Sequence, residues 1–210
     1  MIEISQDGPI TTLTLQRADK ANALTADMLS DLADAAEAAV ETATVLVLTG
    51  SGKVFSAGMD LEAANSGLAT SPVWEQLSGA IAAFPGLSIA ALNGTVAGGA
   101  MGMVLACDLR IAVSGAKFFY PVMKLGFLPQ PSDPARLTAL VGPSRARLIL
   151  MAGQKVTTEQ ALAFGLLDEI VTDGDVLARA NALAADTMAA TPEHSRAIKA
   201  MCTDAARSIP

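Results

Sequence analysis

Histidine is almost absent from this chain of 210 residues, and cysteine is scarce: His194, Cys107 and Cys202 are the full complement. A Ser/His/Asp or Cys/His mechanism would have to use His194, which stands in TPEHSRA and reads as the first turn of a surface helix. Two distant cysteines form no zinc pattern and are expected to be free thiols. Positive charge is also short. Lys and Arg number 14 against 21 Asp and Glu, a net charge of −7, which argues against nucleic acid as a partner because a phosphate backbone asks for clustered cations. Aromatics make up only 4% of a chain that is 51% hydrophobic, so Ala, Leu, Val and Met must do the packing. No charge falls between Gln76 and Cys107, yet Pro85, Gly86, Asn93, Gly94, Gly98 and Gly99 cut that stretch into pieces shorter than the ~20 apolar residues a membrane helix needs. It reads as buried core. The start, MIEISQDG, has no basic region followed by an apolar run, so no signal peptide and a cytoplasmic location are expected.

What is present is organised around LNGTVAGGAMGMVLACD, Leu92 to Asp108. Ser88 to Leu92 predicts a strand, Asn93-Gly94 a turn, and Ala100 to Cys107 a buried helix. Gly98 and Gly99 then sit where the helix begins. The first N–H groups of a helix have no partner within it, and aligned peptide dipoles make that end positive. One reading is an anion or oxyanion site made of main chain, since no side chain from Gly98 to Val104 could act as acid, base or metal ligand. The other is close helix packing. A dinucleotide loop fits less well, because the spacing is G-G-x-x-G and not G-x-G-x-x-G.

Along the chain, Ile2 to Ser5 and Ile10 to Leu15 read as a hairpin around Asp7-Gly8-Pro9. RADKANAL follows as a loop. Thr25 is the expected N-cap of a helix to Glu41, with Met28, Leu32, Ala35 and Ala39 inward. Thr44 to Leu48 predicts a strand that leaves through GSGKVFSAGMDLEAA into a helix near Asp60. Ser71 to Phe84 predicts another helix, and Leu109 to Ser114 a strand. Lys117 to Gln130 reads as strand and loop. Helices are expected at Ala135 to Val141, Ser144 to Ala152, Thr158 to Phe164, Asp175 to Thr187 and Pro192 to Ala206, stopped by Gly142-Pro143, Gly153, Gly165 and Gly174. The fold class is α/β with a helical C-terminal part.

Three passages in order, RADKANAL, FSAGMDL and NGTVAGGAMGMVLACDLRIA, followed by LGFLPQPSDPARLTALVG and GQKVTTEQALAFGLLDEIV, resemble the crotonase superfamily of enoyl-CoA hydratases and isomerases. The resemblance implies stacked ββα units in a spiral core over 1–190, with 191–210 a shortened C-terminal helix, and assembly as a homotrimer or hexamer. It implies an acyl-CoA thioester as substrate, with no metal and no redox cofactor, and no nucleic acid or membrane as partner. Carried over residue by residue, the two N–H groups that polarise the thioester carbonyl fall on Met59 and Gly99. Around them Ala57, Gly58, Asp60, Leu61 and Gly98 complete the loops, while Lys20, Asn22 and Ala23 fall on the loop that lies along the CoA. A lysine there would offset phosphate charge, and Lys53 could serve the same end; a solvated loop lysine is the plain alternative for Lys20. Asp60 is expected to cap a helix, and Asp108 to be a structural hydrogen-bonder.

The resemblance breaks where the chemistry should be. The two glutamates of the family's hydratases fall on Gly102 and Val122, neither of which can move a proton. The glycines after the loop proline are replaced by Gln130-Pro131-Ser132-Asp133. Remaining within reach are Asp133, Gln130 and Tyr120, with Glu62 and Glu75. Asp133 is the first choice for proton transfer, against an N-cap at the helix starting near Pro134. Isomerase-like or hydrolytic chemistry is therefore favoured over hydration, with a non-catalytic CoA-ester-binding protein as the alternative, and a structural oligomer behind that. The pocket is expected between Met59 to Trp74 and Phe119 to Leu128, for an apolar acyl group. The end at Pro210 predicts a site more open than usual, or closed by a neighbouring subunit.

Overall fold

The computed structural model describes residues 1–60, 62, 67–173 and 175–208. In chain order it contains β1 (Ile2–Asp7), β2 (Ile10–Leu15), α1 (Ala26–Thr42), β3 (Val45–Gly50), β4 (Val54–Ser56), α2 (Val73–Ala83), β5 (Leu87–Leu92), β6 (Thr95–Ala97) and α3 (Ala100–Ala106). Then follow β7 (Leu109–Val113), β8 (Lys117–Phe119), α4 (Val122–Leu125), α5 (Asp133–Leu150), β9 (Val156–Thr157), α6 (Thr158–Phe164), β10 (Glu169–Val171), α7 (Val176–Leu183), α8 (Ala185–Ala189) and α9 (Pro192–Ser208).

The strands form two sheets. The larger has the order β1-β2-β3-β5-β7-β10, parallel except for the β1–β2 hairpin. The smaller has the order β4-β6-β8-β9. Three successive strand pairs, β3–β4, β5–β6 and β7–β8, each put the first strand in the large sheet and the second in the small one. The expected spiral of strand, strand and helix is therefore present. β4 and β6 lie in what the sequence shows only as glycine-bearing loops, because three residues are too few to display alternation.

Parallel strands covered on both faces need apolar residues at every position. Leu46 and Leu48 of β3 face the cluster shared with α1, α2 and α3, while Val45 and Val47 face the one shared with Val176 and Ala180 of α7. This two-sided burial explains why the Gln76 to Cys107 stretch carries no charge. Among the described residues no helix is long and apolar enough to cross a membrane.

Thr25 caps α1 as expected, its hydroxyl accepting from the Met28 N–H at 3.3 Å. Three expectations need correction. The passage after β8 is not all loop, because Val122–Leu125 closes a helical turn that ends at Gly126 in the left-handed region. The expected Asp175 to Thr187 helix is two, broken around Ala184. The Gly142-Pro143 stop is a sharp bend, with Gly142 at φ 77° inside the run from Asp133 to Leu150. Cys107 is buried, Cys202 exposed, and both are free thiols. Burial pushes the Cys107 thiol up to about 12, which removes it as a nucleophile at neutral pH.

Candidate active site

After β4 the chain runs Ala57-Gly58-Met59-Asp60. The Ala57 N–H donates to Ala21 O at 2.9 Å and the Gly58 N–H to the Ser56 hydroxyl at 3.1 Å. The Asp60 N–H donates to Leu24 O at 2.9 Å. The Met59 N–H between them has no acceptor among the described residues. After β6 the Gly98 N–H donates to Phe119 O at 3.0 Å and the Met101 N–H to Gly98 O at 3.0 Å. The Gly99 N–H is likewise unspent among the described residues.

The two loops touch through glycine. Gly58 has φ +88°, and a Cβ there would stand 2.7 Å from Ala97 O, so no other residue fits without parting the loops. A Cβ on Gly99 would stand 2.9 Å from the Trp74 ring. That ring is held by its indole N–H, which donates to Leu68 O at 2.8 Å.

Met59 and Gly99 share the wall of an apolar cavity of about 60 Å³ with Trp74, Tyr120, Val122 and Gln130. Its rim carries the exposed side chains of Leu125, Phe127 and Leu128. Tyr120 is buried, and its phenol donates to Asp133 Oδ2 at 2.9 Å while accepting from the Gln130 N–H at 3.3 Å. The Gln130 side-chain amide donates to Ala69 O at 3.3 Å, which ties the loop after α4 to the segment before α2. Asp133 itself is fully buried and stands behind Tyr120, outside the cavity wall.

Asp133 therefore departs from both readings made of it. It is not the N-cap of α5, where Ser132 precedes the helix and makes no side-chain cap. Nor does it face the cavity directly. Its Oδ1 has no donor among the described residues and lies 3.0 Å from where a Cβ of Gly102 would be. Burial pushes its carboxyl up to about 6 against the opposing pull of the Tyr120 hydrogen bond, and nearby Glu75 adds to the rise. The Tyr120 phenol is pushed further above its ordinary value by burial and by the Asp133 charge. Glu75 Oε1 accepts from the N–H and hydroxyl of Ser132, at 3.1 and 2.9 Å.

The RADKANAL loop divides sharply. Lys20 is exposed in the turn Ala18–Lys20, and neither it nor exposed Lys53 makes an ion pair among the described residues. Asn22 is instead fully buried at φ 53°, contrary to its placement along a ligand. Its amide donates to Ser51 O and Val54 O at 2.9 and 2.8 Å, and its Oδ1 accepts from the Arg17 N–H. The side chain is a brace between two loops. Ala23 is half-buried and its carbonyl accepts from Arg17 Nη1 at 2.9 Å; Ala57 is exposed. Asp60 pairs with Arg17 and accepts from the Glu62 N–H at 2.8 Å, as a turn-starting carboxylate would. Leu61 lies outside the described residues. Arg17 was not singled out from sequence, where one arginine beside a loop carries no mark of its partner.

Larger cavities lie elsewhere on the molecule. A cavity of about 470 Å³ lies under α9, bordered by Asp108, His194, Lys199 and Cys202. The Lys199 ammonium has all three donors spent, on Phe84 O, Gly86 O and Asp108 Oδ2 at 2.8, 2.9 and 2.7 Å. Asp108 also accepts from the N–H and hydroxyl of Ser88, each at 2.9 Å, so it is a structural hydrogen-bonder. What sets the small cavity apart is its wall: among the described residues the Met59 and Gly99 N–H groups there have no acceptor.

Comparison with known proteins gives the family. Residues 5–209 match the family described as enoyl-CoA hydratase/isomerase. The probable enoyl-CoA hydratase echA6 of Mycobacterium tuberculosis is 34% identical over 185 residues, covering 88% of this chain and 76% of the relative. The putative enoyl-CoA hydratase/isomerase YngF of Bacillus subtilis is 32% identical over 188 residues, covering 86% and 72%. Among solved structures, a putative enoyl-CoA hydratase/isomerase family protein from Hyphomonas neptunium superposes with a TM-score of 0.91 at 28% identity, covering 100% of this chain and 84% of that one.

Proposed function

The chain belongs to the enoyl-CoA hydratase/isomerase family, and we propose that it binds acyl-CoA thioesters with the thioester oxygen on the Met59 and Gly99 N–H groups, where an enolate can form. One observation carries this: Met59 and Gly99, whose N–H groups have no acceptor among the described residues, stand on loops pressed together at Gly58 and Gly98 and line one apolar cavity. Donors held in place before the reaction stabilise the charge that develops in it, and one such donor contributes about 2.7–4 kcal/mol. Because they are main chain, the side chain at position 59 is free to vary.

Hydration needs an acid and a base beside the enolate. Positions 102 and 122 offer glycine and valine, so double-bond isomerisation or hydrolysis is favoured. The thioester brings its own CoA, and the reaction calls for no metal or redox cofactor. Lys20 and Lys53, both exposed, would meet the CoA phosphates. A homotrimer or hexamer is part of the same proposal, supported by exposed apolar side chains at Met123, Leu128, Ile198 and Met201.

The test is mass spectrometry of 2-enoyl-, 3-enoyl- and saturated acyl-CoA esters incubated with the protein in heavy water. Deuterium next to the thioester, a shifted double bond or released CoA is the expected result. Esters that return unchanged while raising the melting temperature would replace catalysis by CoA-ester binding. Esters that do neither would end the proposal.

A further inference from the structure

We propose that Tyr120 is the proton-transferring residue of this cavity and that Asp133 is the positioning carboxylate behind it, set from α5 into the room that Gly102 leaves on α3. This rests on the thioester-enolate reading of the site. Three observations support it. Tyr120 lines the cavity with Met59 and Gly99, and its phenol is committed to Asp133 Oδ2 at 2.9 Å. Asp133 is fully buried, with no cation paired to it among the described residues. Its second oxygen has no donor there and faces Gly102, where the smallest residue makes the space.

A carboxylate buried for structural reasons normally has both oxygens satisfied, because an unpaired one costs desolvation with no return. This one keeps a single neutral donor, and that donor belongs to a residue of the cavity wall. The groups that face Asp133 are the Tyr120 phenol, Glu75 of α2 and Arg136 of α5, with none from Gly102 of α3. Arg136 directs one nitrogen toward Ser78 O at 3.4 Å and makes no ion pair with Asp133.

The step balances within the site. The C–H bond next to the thioester breaks, and its electron pair becomes the enolate held by the two N–H groups. The proton goes to the Tyr120 oxygen as the phenol's own proton passes to Asp133 Oδ2. Because the phenol is pushed up, a free tyrosinate would be disfavoured, so the two transfers belong to one event. Once the proton held on Tyr120 has exchanged with solvent, the return from Asp133 through Tyr120 puts a solvent-derived proton on the same carbon, giving exchange, or on the far carbon of a conjugated enolate, giving a shifted double bond. Oxidation state is unchanged throughout.

The experiment follows deuterium uptake next to the thioester of a saturated acyl-CoA in heavy water, alongside calorimetric binding of the same ester. Tyr120→Phe keeps the ring and its packing; exchange should fall roughly 100-fold with affinity within about threefold. Asp133→Asn should lower exchange at least tenfold and lack the low-pH limb expected of the wild type near pH 6. Gly102→Asp added to Asp133→Ala returns a carboxylate to the space the truncated side chain vacates and should recover part of the rate lost in Asp133→Ala, which a purely structural hydrogen bond would not do. Full exchange in Tyr120→Phe would overturn the proposal while leaving the thioester reading intact. A wild type that binds and exchanges with no decline below pH 6 would overturn it too, even if the variants fail to fold. A wild type that neither binds nor exchanges would overturn both.

Discussion

The two walls of the small cavity are built on opposite principles. One is main chain: the loops of Met59 and Gly99, which follow β4 and β6 and meet at Gly58 and Gly98. The other is side chain: Tyr120 on the segment after β8, backed by Asp133 at the start of α5. The first depends on two loops meeting with no Cβ between them and is indifferent to the side chain at 59. The second depends on a carboxylate reaching one volume, whichever helix supplies it. A backbone device is therefore tied to its place in the chain, whereas a carboxylate can sit at a different position as long as another residue, here Gly102, yields the space.

The sharpest way to break the backbone wall is Gly58→Ala. Its Cβ would meet Ala97 O at 2.7 Å with φ at +88°, so the loops must part. Losing the alignment of one donor should cost ~100-fold in turnover, measured as deuterium exchange, with the melting temperature lowered as well. On the side-chain wall the expected change has the opposite sign for stability. Asp133 titrates near 6 folded and near 3.8 unfolded, so its ionisation opposes folding. The contribution of the neutral acid is full below pH 3.8 and gone above pH 6. Asp133→Asn should thus raise stability by up to about 3 kcal/mol at pH 8 and by nothing near pH 4, read from denaturant melts at the two pH values. A gain that is the same at both would mean that ionisation of Asp133 is not what opposes folding.

Asn22→Ala tests the support beneath the backbone wall. It deletes two donations that join Ser51 and Val54 to the 17–24 loop and should destabilise by about 2 kcal/mol, with thioester affinity falling only as far as the Met59 loop moves. The smallest effect is expected at the rim. Lys20→Ala, fully outside both walls, should weaken CoA-ester binding by about threefold or less, and the loss should shrink as salt rises. An effect of Lys20→Ala larger than that of Asn22→Ala on affinity would reverse the ranking of brace and rim.

Much of the backbone wall was legible in the sequence. Glycines at 58, 98 and 99 mark places where chain must approach chain, and a helix start beside them supplies free N–H groups. The apolar run from Gln76 to Cys107 announced buried core. What stayed hidden has physical causes. β4 and β6 are too short for a period to register. Asn22 looks like any loop asparagine until the three groups it bonds, far apart in sequence, are seen together. Ser-Asp-Pro reads as a cap because a cap is a local device, yet Asp133 turns inward to Tyr120.

The sequence by itself therefore determined the longer strands and helices, the burial of the central apolar run and the glycine-bearing loops, since each follows from residues within a few positions of one another. Only the tertiary structure decided that Gly102 and Asp133 face across two helices, that Tyr120 stands between Asp133 and the cavity, and that Arg17 holds Asp60. Those contacts join residues 13 to 43 positions apart, and a meeting at such separation is set by packing of whole elements, which no local pattern encodes.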